Sequence, residues 1–208
     1  MPGIALPARL DPIPTQCLER TGKILRQTGA EYPNMVKILA LSGSARKQSY
    51  NQRLVRIAAT GAKIAGAEVT EINLADFPMP IFNQDLEAEQ GMPEAAGAIK
   101  KLMIGHDGML IASQEYNSAY SALLKNAIDW ASRKEVESEP PLQAFRGKVV
   151  TLMSASPGAL GGLRGLVVLR MLLGNLGMIV LSGSRQSPMP GRPFMGTGHC
   201  WMTVSSRR

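Results

Sequence analysis

Along most of the chain, short apolar runs alternate with stretches in which apolar residues recur every three or four positions. VKILAL (36–41) is an apolar run broken only by Lys37, the pattern of a buried strand. From about Asn51 the spacing predicts a helix, with Leu54, Ile57, Ala58, Gly61 and Ala65 on one face. EVTEINL (68–74) reads as a strand with one covered face. MPEAAGAIKKLMIGH (92–106) has helical spacing, and DGMLIAS (107–113) reads as a second buried strand. SAYSALLKNAIDWASR (118–133) predicts a helix, GKVVTLM (147–153) a strand, GLRGLVVLRMLLGNL (162–176) a helix and GMIVL (177–181) the last strand. Between these elements FPMPIFNQD (77–85) reads as loop, with Asp76 and Asp85 as loop carboxylates.

Alternating strands and helices with continuous apolar strands imply an α/β domain whose parallel sheet is covered on both faces. Right-handed crossovers then give a flavodoxin-like, doubly wound, five-stranded sheet in the order 2-1-3-4-5. The domain runs over residues 35–181. Residues 1–34 form an N-terminal extension, rich in proline and polar residues, with weak helical character only around Leu18 to Leu25. Met35, just before the first strand, suits an internal start. Residues 182–208 have neither period and read as an irregular tail.

Composition narrows the function without naming it. The hydrophobic share of 45% and charged share of 19% are those of a globular chain. The net charge of +7 hints at nucleic acid until it is divided. Residues 1–34 hold 4 basic and 3 acidic side chains, 182–208 hold 4 and none, and the middle holds 15 and 13. With no dense basic stripe in the middle and few aromatics, nucleic acid is not the expected partner. Residues 163–181 carry Arg164, Arg170 and Asn175 and read as helix, turn and strand rather than a membrane span. The start lacks the pattern of a signal peptide, and two cysteines, Cys17 and Cys200, make a disulfide scaffold improbable, so a cytoplasmic setting is expected.

In doubly wound sheets ligands bind outside the carboxyl ends of the strands, at the switch point between strands 1 and 3. Three loops meet there: 42–51, 113–118 and 154–162. The first, SGSARKQSYN, has Ser42, Gly43 and Ser44 leaving the strand and Ser49 and Asn51 where an N-cap belongs. Free amides and the helix dipole favour an anion there, and Arg46 offers a planar fork to phosphate. Neither a dinucleotide fingerprint nor a P-loop is present, since only Gly43 stands in the turn and Gln48 occupies the position where a P-loop needs its second glycine. One phosphate on a larger planar molecule remains, and FMN fits. The second loop offers Glu115, Tyr116 and Asn117 to the flavin ring, or else Asn117 or Ser118 serves as an ordinary N-cap. The third, SASPGALGG, offers Ser154, Ser156 and close backbone approach.

SGSARKQSYNQRL, PMPIFNQDLE, SQEYNSAYSALLKNAIDWAS and SASPGALGGLRG, in this order and spacing, resemble the NAD(P)H-dependent FMN reductases, with their quinone, chromate and azo-dye reductases. The resemblance covers about residues 36–181. It implies that Ser44, Arg46, Ser49 and Asn51 hold the FMN phosphate; Ser42 and Tyr50, in the same turn, are expected cofactor-binding residues. It implies that Glu115, Tyr116 and Asn117 border the isoalloxazine, and that Ser154, Ser156 and Gly158 help enclose it; Ser118, next in the turn, is an expected cofactor-binding residue. The implied activity passes hydride from NADPH or NADH through FMN to a small acceptor. The alternative is a flavodoxin-like electron carrier without nicotinamide activity of its own; a remnant that binds no flavin is a third reading. No catalytic side chain and no metal are expected; His106 reads as a surface or strand-end residue. Two departures stand out: Gln114 replaces the family's usual proline before Glu-Tyr-Asn, and no final helix follows strand 5. Helix 118–133 is apolar nearly all round, with Lys125, Asn126 and Asp129 its main polar positions. That pattern fits deep burial or a partner, and the resemblance implies a homodimer or dimer of dimers.

Overall fold

The computed structural model describes residues 35–156 and 160–182, together with the backbone of 185–187. Its strands are β1 (Lys37–Ser42), β2 (Glu68–Asn73), β3 (Gly108–Ala112), β4 (Val149–Ala155), β5 (Ile179–Val180) and β6 (Arg185–Ser187). Its helices are α1 (Tyr50–Ile64), α2 (Gln84–Gln90), α3 (Glu94–Ile104), α4 (Ala122–Ala131) and α5 (Leu163–Asn175), with a 3-10 turn at Leu74–Asp76. The five-stranded parallel order is β2-β1-β3-β4-β5, as the alternation predicts. Among the described residues no helix is long and apolar enough to cross a membrane.

The register aligns apolar residues in rows. Leu41 pairs with Ile72 and with Ile111, and Ile111 pairs with Leu152. The larger core lies on the face that carries α3, α4 and α5. There Leu39, Leu41, Ile111, Val150 and Leu152 of the sheet meet Ile99, Met103, Ile128, Leu169 and Leu173. The opposite face holds a smaller cluster, in which Val55 and Ala59 of α1 pack on Ala40, Ala112 and Met153.

Local chemistry explains where the elements depart from the periodic reading. The end of the 77–85 stretch, which reads as loop in the sequence, runs into α2. Asn83 caps it by accepting the Asp85 and Leu86 amides, Asp85 and Glu87 favour the first turn, and Gly91 stops it at φ +75°. Asp85 is thus a helix residue, and Asp76 ends the 3-10 turn. The fourth helix starts at Ala122, not 118. Asn117 and Ser118 take φ of 50° and 64° and form the two-residue turn of a small hairpin joining Tyr116 to Ala119. The helix cap is Ser121, whose hydroxyl accepts the Leu124 amide. The last strand is only two residues long, and the tail expected to be irregular returns as β6. Arg185–Ser187 pairs with Met153–Ala155, whose backbone groups β5 leaves unpaired.

The apolar girth of α4 is satisfied within the chain. Leu124, Ala127, Ile128, Trp130 and Ala131 are buried. The Pro80 carbonyl accepts from Trp130 Nε1 at 2.8 Å and Asn126 Nδ2 at 2.9 Å, and Phe82 meets Trp130 edge-on at 5.0 Å. Deep burial therefore accounts for this helix without a partner subunit. His106 is buried at the start of β3, its ring bonded to the Leu102 carbonyl and to Thr70 Oγ1. That is the end of the sheet away from the three loops. Cys17, His199 and Cys200 lie outside the described residues.

Candidate functional site

The three loops are tied together at the carboxyl ends of β1, β3 and β4. Gly43 is the hub. Its amide bonds the Ala112 carbonyl at 2.9 Å, and its carbonyl accepts from Ser121 Oγ at 2.7 Å and Gln114 Nε2 at 2.8 Å. A β-carbon at Gly43 would stand 2.9 Å from Ser121 Oγ, so a bare backbone is needed at this crossing. Gln114 thus belongs to the site's frame. Its Oε1 is buried without a hydrogen-bond partner among the described residues.

The first turn presents hydroxyls whose protons are free. Ser42 Oγ accepts the Ser44 amide, Ser44 Oγ accepts the Arg46 amide, and Ser49 Oγ accepts the Gln52 amide as N-cap. Each hydroxyl, used as an acceptor, keeps its own proton to donate. All three serines are buried. The Gln52 amide is taken by the cap and the Arg53 amide by the Ser49 carbonyl. The amides of Tyr50 and Asn51 therefore open the helix with no partner among the described residues. Arg46 is exposed, its guanidinium 5.4 Å from the Tyr50 ring centre, and Arg53 lies 6.0 Å from the same ring.

Two predicted site residues are occupied in holding the loops. Asn51 donates from Nδ2 to the Ala155 carbonyl at 3.0 Å and accepts the Ala155 amide at 2.9 Å, so its side chain fastens the third loop to α1. Glu115 accepts the Gly165 amide at 3.0 Å, in the first turn of α5, and so ties the second loop to the third. Arg164 donates to Ser118 Oγ across the same gap. Tyr116 and Asn117 project from the hairpin, and the Tyr116 side chain is exposed. Ser154 is wholly buried, its hydroxyl unpartnered among the described residues, directly beneath Gly162. Ser156 follows it, half-buried, and Gly158 lies outside the described residues.

Among the described residues, hydrogen-bond donors without partners gather in the turn Ser42–Asn51, beside the hairpin that carries the exposed Tyr116. The sequence profile described as NADPH-dependent FMN reductase matches residues 36–187. The chain belongs to that family. It is a family of oxidoreductases that work with FMN and NAD(P)H. An NAD(P)H-dependent FMN reductase of Pseudomonas aeruginosa is 36% identical over 142 residues, covering 66% of this chain and 69% of that protein. An NADPH:quinone oxidoreductase of Arabidopsis thaliana is 35% identical over 130 residues, covering 62% of each. The chain thus spans about two thirds of the length of these curated relatives. Among solved structures, the flavoenzyme NAD(P)H:(acceptor) oxidoreductase FerB of Paracoccus denitrificans superimposes with a TM-score of 0.59 at 28% identity, over 71% of this chain and 76% of that one.

The residues present fit the family's cofactor. A phosphate asks for donors, and the turn supplies two unpaired amides, three hydroxyl protons and a guanidinium within one loop. Sequence reasoning singled out this turn, noted Gln114 only as a replacement for proline, and missed Ser121 and Gln52; all three position the turn. Gln52 Nε2 bonds the Ser44 carbonyl and Asn73 Oδ1, both at 2.9 Å. Only Ser121 had a legible signal, as a hydroxyl residue just before a helical run.

Proposed function

We propose that this chain is an NAD(P)H-dependent, FMN-containing oxidoreductase that passes hydride from a reduced nicotinamide to a small acceptor such as a quinone, an azo compound or free flavin. The reading rests above all on the unpaired Tyr50 and Asn51 amides, set behind buried serines at the switch point of the sheet. Bound FMN supplies the hydride chemistry, so the chain is asked for placement rather than for a nucleophile or base. Ser44 and Ser49 donate their hydroxyl protons to the phosphate, and Arg46 swings from the Tyr50 ring to close over it. The Asn51 side chain acts indirectly, by holding Ala155 and the third loop in place, while its amide faces the phosphate. The turn amides at Asn117 and Ser118 face the polar edge of the ring. Glu115 stays with the α5 amide.

Arg46→Ala should weaken FMN by about 1–3 kcal/mol, the scale of a charge-assisted hydrogen bond. Fluorescence titration measures it, and an unchanged dissociation constant would free Arg46 from the phosphate.

NADPH, and NADH less efficiently, should bleach the FMN-loaded protein without oxygen, and a quinone should restore the yellow colour in a two-electron step. His106→Ala should change this rate less than about threefold, because the imidazole sits at the far end of the sheet and hydride transfer asks for no base there. If dithionite reduces the flavin while neither nucleotide does, the electron-carrier reading replaces this one.

A homodimer, or a dimer of dimers, belongs to the same proposal. Leu163, Val167 and Met171 recur every fourth residue on α5 and are 40%, 61% and 62% exposed, an apolar stripe beside the third loop suited to a second copy.

A further inference from the structure

In a doubly wound sheet each face needs helices to cover it. Here one face has three and the other has only α1 among the described residues. Strand alternation shows what this leaves bare. Val150 and Leu152 point into the larger core, and Met153 into the smaller one, so Val149 and Thr151 share the α1 face. Ile179 pairs with Val149 and therefore points the same way, as does Leu181 two residues on. Val149, Ile179 and Leu181 are 39%, 56% and 45% exposed. α1 borders this floor. Its Lys63 and Gln52 turn toward β2, bonding Glu71 and Asn73. Leu54 and Ala58, around the helix from that side, are partly buried against the same cluster. The result is an apolar trough between α1 and the β5 edge.

We infer that residues 1–34 fill this trough, with a helix from about Cys17 to Thr28 lying along β4 and β5. Three observations select this occupant. The first is its pattern. Wound at 100° per residue, Cys17, Leu18, Thr21, Ile24, Leu25 and Thr28 gather on one face, and Glu19, Arg20, Lys23, Arg26 and Gln27 on the other. The second is direction. A helix that leads into a parallel strand runs against the sheet, as the crossover helices do, and ends where the strand begins. Val149 and Ile179, the first residues of β4 and β5, stand at that end, beside the start of β1. The third is reach. Residues 29–36 span up to about 26–29 Å when extended, at ~3.3–3.6 Å each. Crossing the two strands from β1 to β4 takes roughly 10 Å, and the step up to a helix layer about another 10 Å. The extension thus takes the place in the sheet that a helix after β5 would have taken, reached from the other end of the chain.

The test keeps the full chain. In a Cys17→Ser, Cys200→Ser background, Leu25→Cys paired with Ile179→Cys should form an intramolecular disulfide under mild oxidation, while Leu25→Cys paired with Glu68→Cys, at the far edge of the sheet, should not. Failure of the first pair, or equal yield from both, overturns the proposal. A labelling measurement removes dependence on disulfide geometry. With Ile179→Cys as the only thiol, adding Leu18→Asp and Leu25→Asp should speed reaction with a maleimide at least tenfold. No change overturns the proposal. So does a result in which Phe194→Asp and Trp201→Asp, in the tail, speed it instead.

Discussion

Gly162→Ala should lower stability by about 2–4 kcal/mol and loosen FMN along with it. Gly162 opens α5 at φ +91°, where an L residue is strained by about 1–2 kcal/mol. A β-carbon built there would meet Ser154 Oγ at 1.9 Å and Ser154 Cβ at 2.8 Å. Ser154 is wholly buried in β4 and has nowhere to go, so overpacking adds about 1–3 kcal/mol. Thermal unfolding reads the loss as a fall of roughly 5–15 °C for a chain of this size. Gly174→Ala is the control. Gly174 sits in the same helix with open space around its β position, so the same added methyl should stabilise by about 0.5–1 kcal/mol. Equal effects from the two changes would mean that the Gly162–Ser154 contact does not limit the third loop.

Lys100→Met should cost about 3–5 kcal/mol, the scale of leaving one charge of a covered pair alone. Lys100 is 1% exposed, and its ammonium bonds Glu139 at 2.5 Å and the Arg133 carbonyl at 2.6 Å. Glu139, nine-tenths covered, also accepts the Glu135 amide. The pair pins the loop after α4 against α3. Burial alone would raise the Glu139 carboxyl. The Glu135 amide, the Lys100 hydrogen bond and the charges of Lys100 and Lys134 outweigh it and hold the group below its ordinary 4.5. A lowered native value means that the unfolded chain binds the proton first. The pair's contribution is therefore full above pH ~5 and is lost as pH falls through the native value. Denaturant titrations at pH 7 and below 4 measure both effects. The Lys100→Met, Glu139→Leu double variant should regain much of the loss and flatten the acid slope. A single variant as stable as the parent at pH 7 would remove the pair from the stability of this loop.

The sheet order was legible in the chain because β1, β3, β4 and β5 are mainly apolar runs, β2 alternates, and each crossover carries a helix of clear period. Those are local properties, fixed by which residues need burial. The capped turn after β1 was legible for a related reason: serines, Arg46 and an N-cap lie within one stretch of sequence, and the fold class says where such a turn must stand. α2 escaped because its signal lies in caps rather than in period: Asn83 before it, Gly91 after it and no buried residue within it. The two-residue β5 and its continuation as β6 were set by the unpaired edge of Met153–Ala155, which no inspection of 182–208 reveals.

Sequence alone determined the α/β class, the strand order and the family. Tertiary structure decided the tasks of the individual side chains. Asn51 and Glu115 read as cofactor residues from their motifs; in the structure the Asn51 side chain bonds Ala155, 104 positions away, and one Glu115 oxygen accepts the amide of Gly165, 50 positions away. Which backbone group lies within 3 Å of a side chain depends on how the loops meet, and the loops meet only after the sheet has formed. For the same reason the apolar girth of α4 was ambiguous in sequence. Burial inside one chain and burial against a second require the same residues, and only the packing of Pro80 and Phe82 on Trp130 separates them.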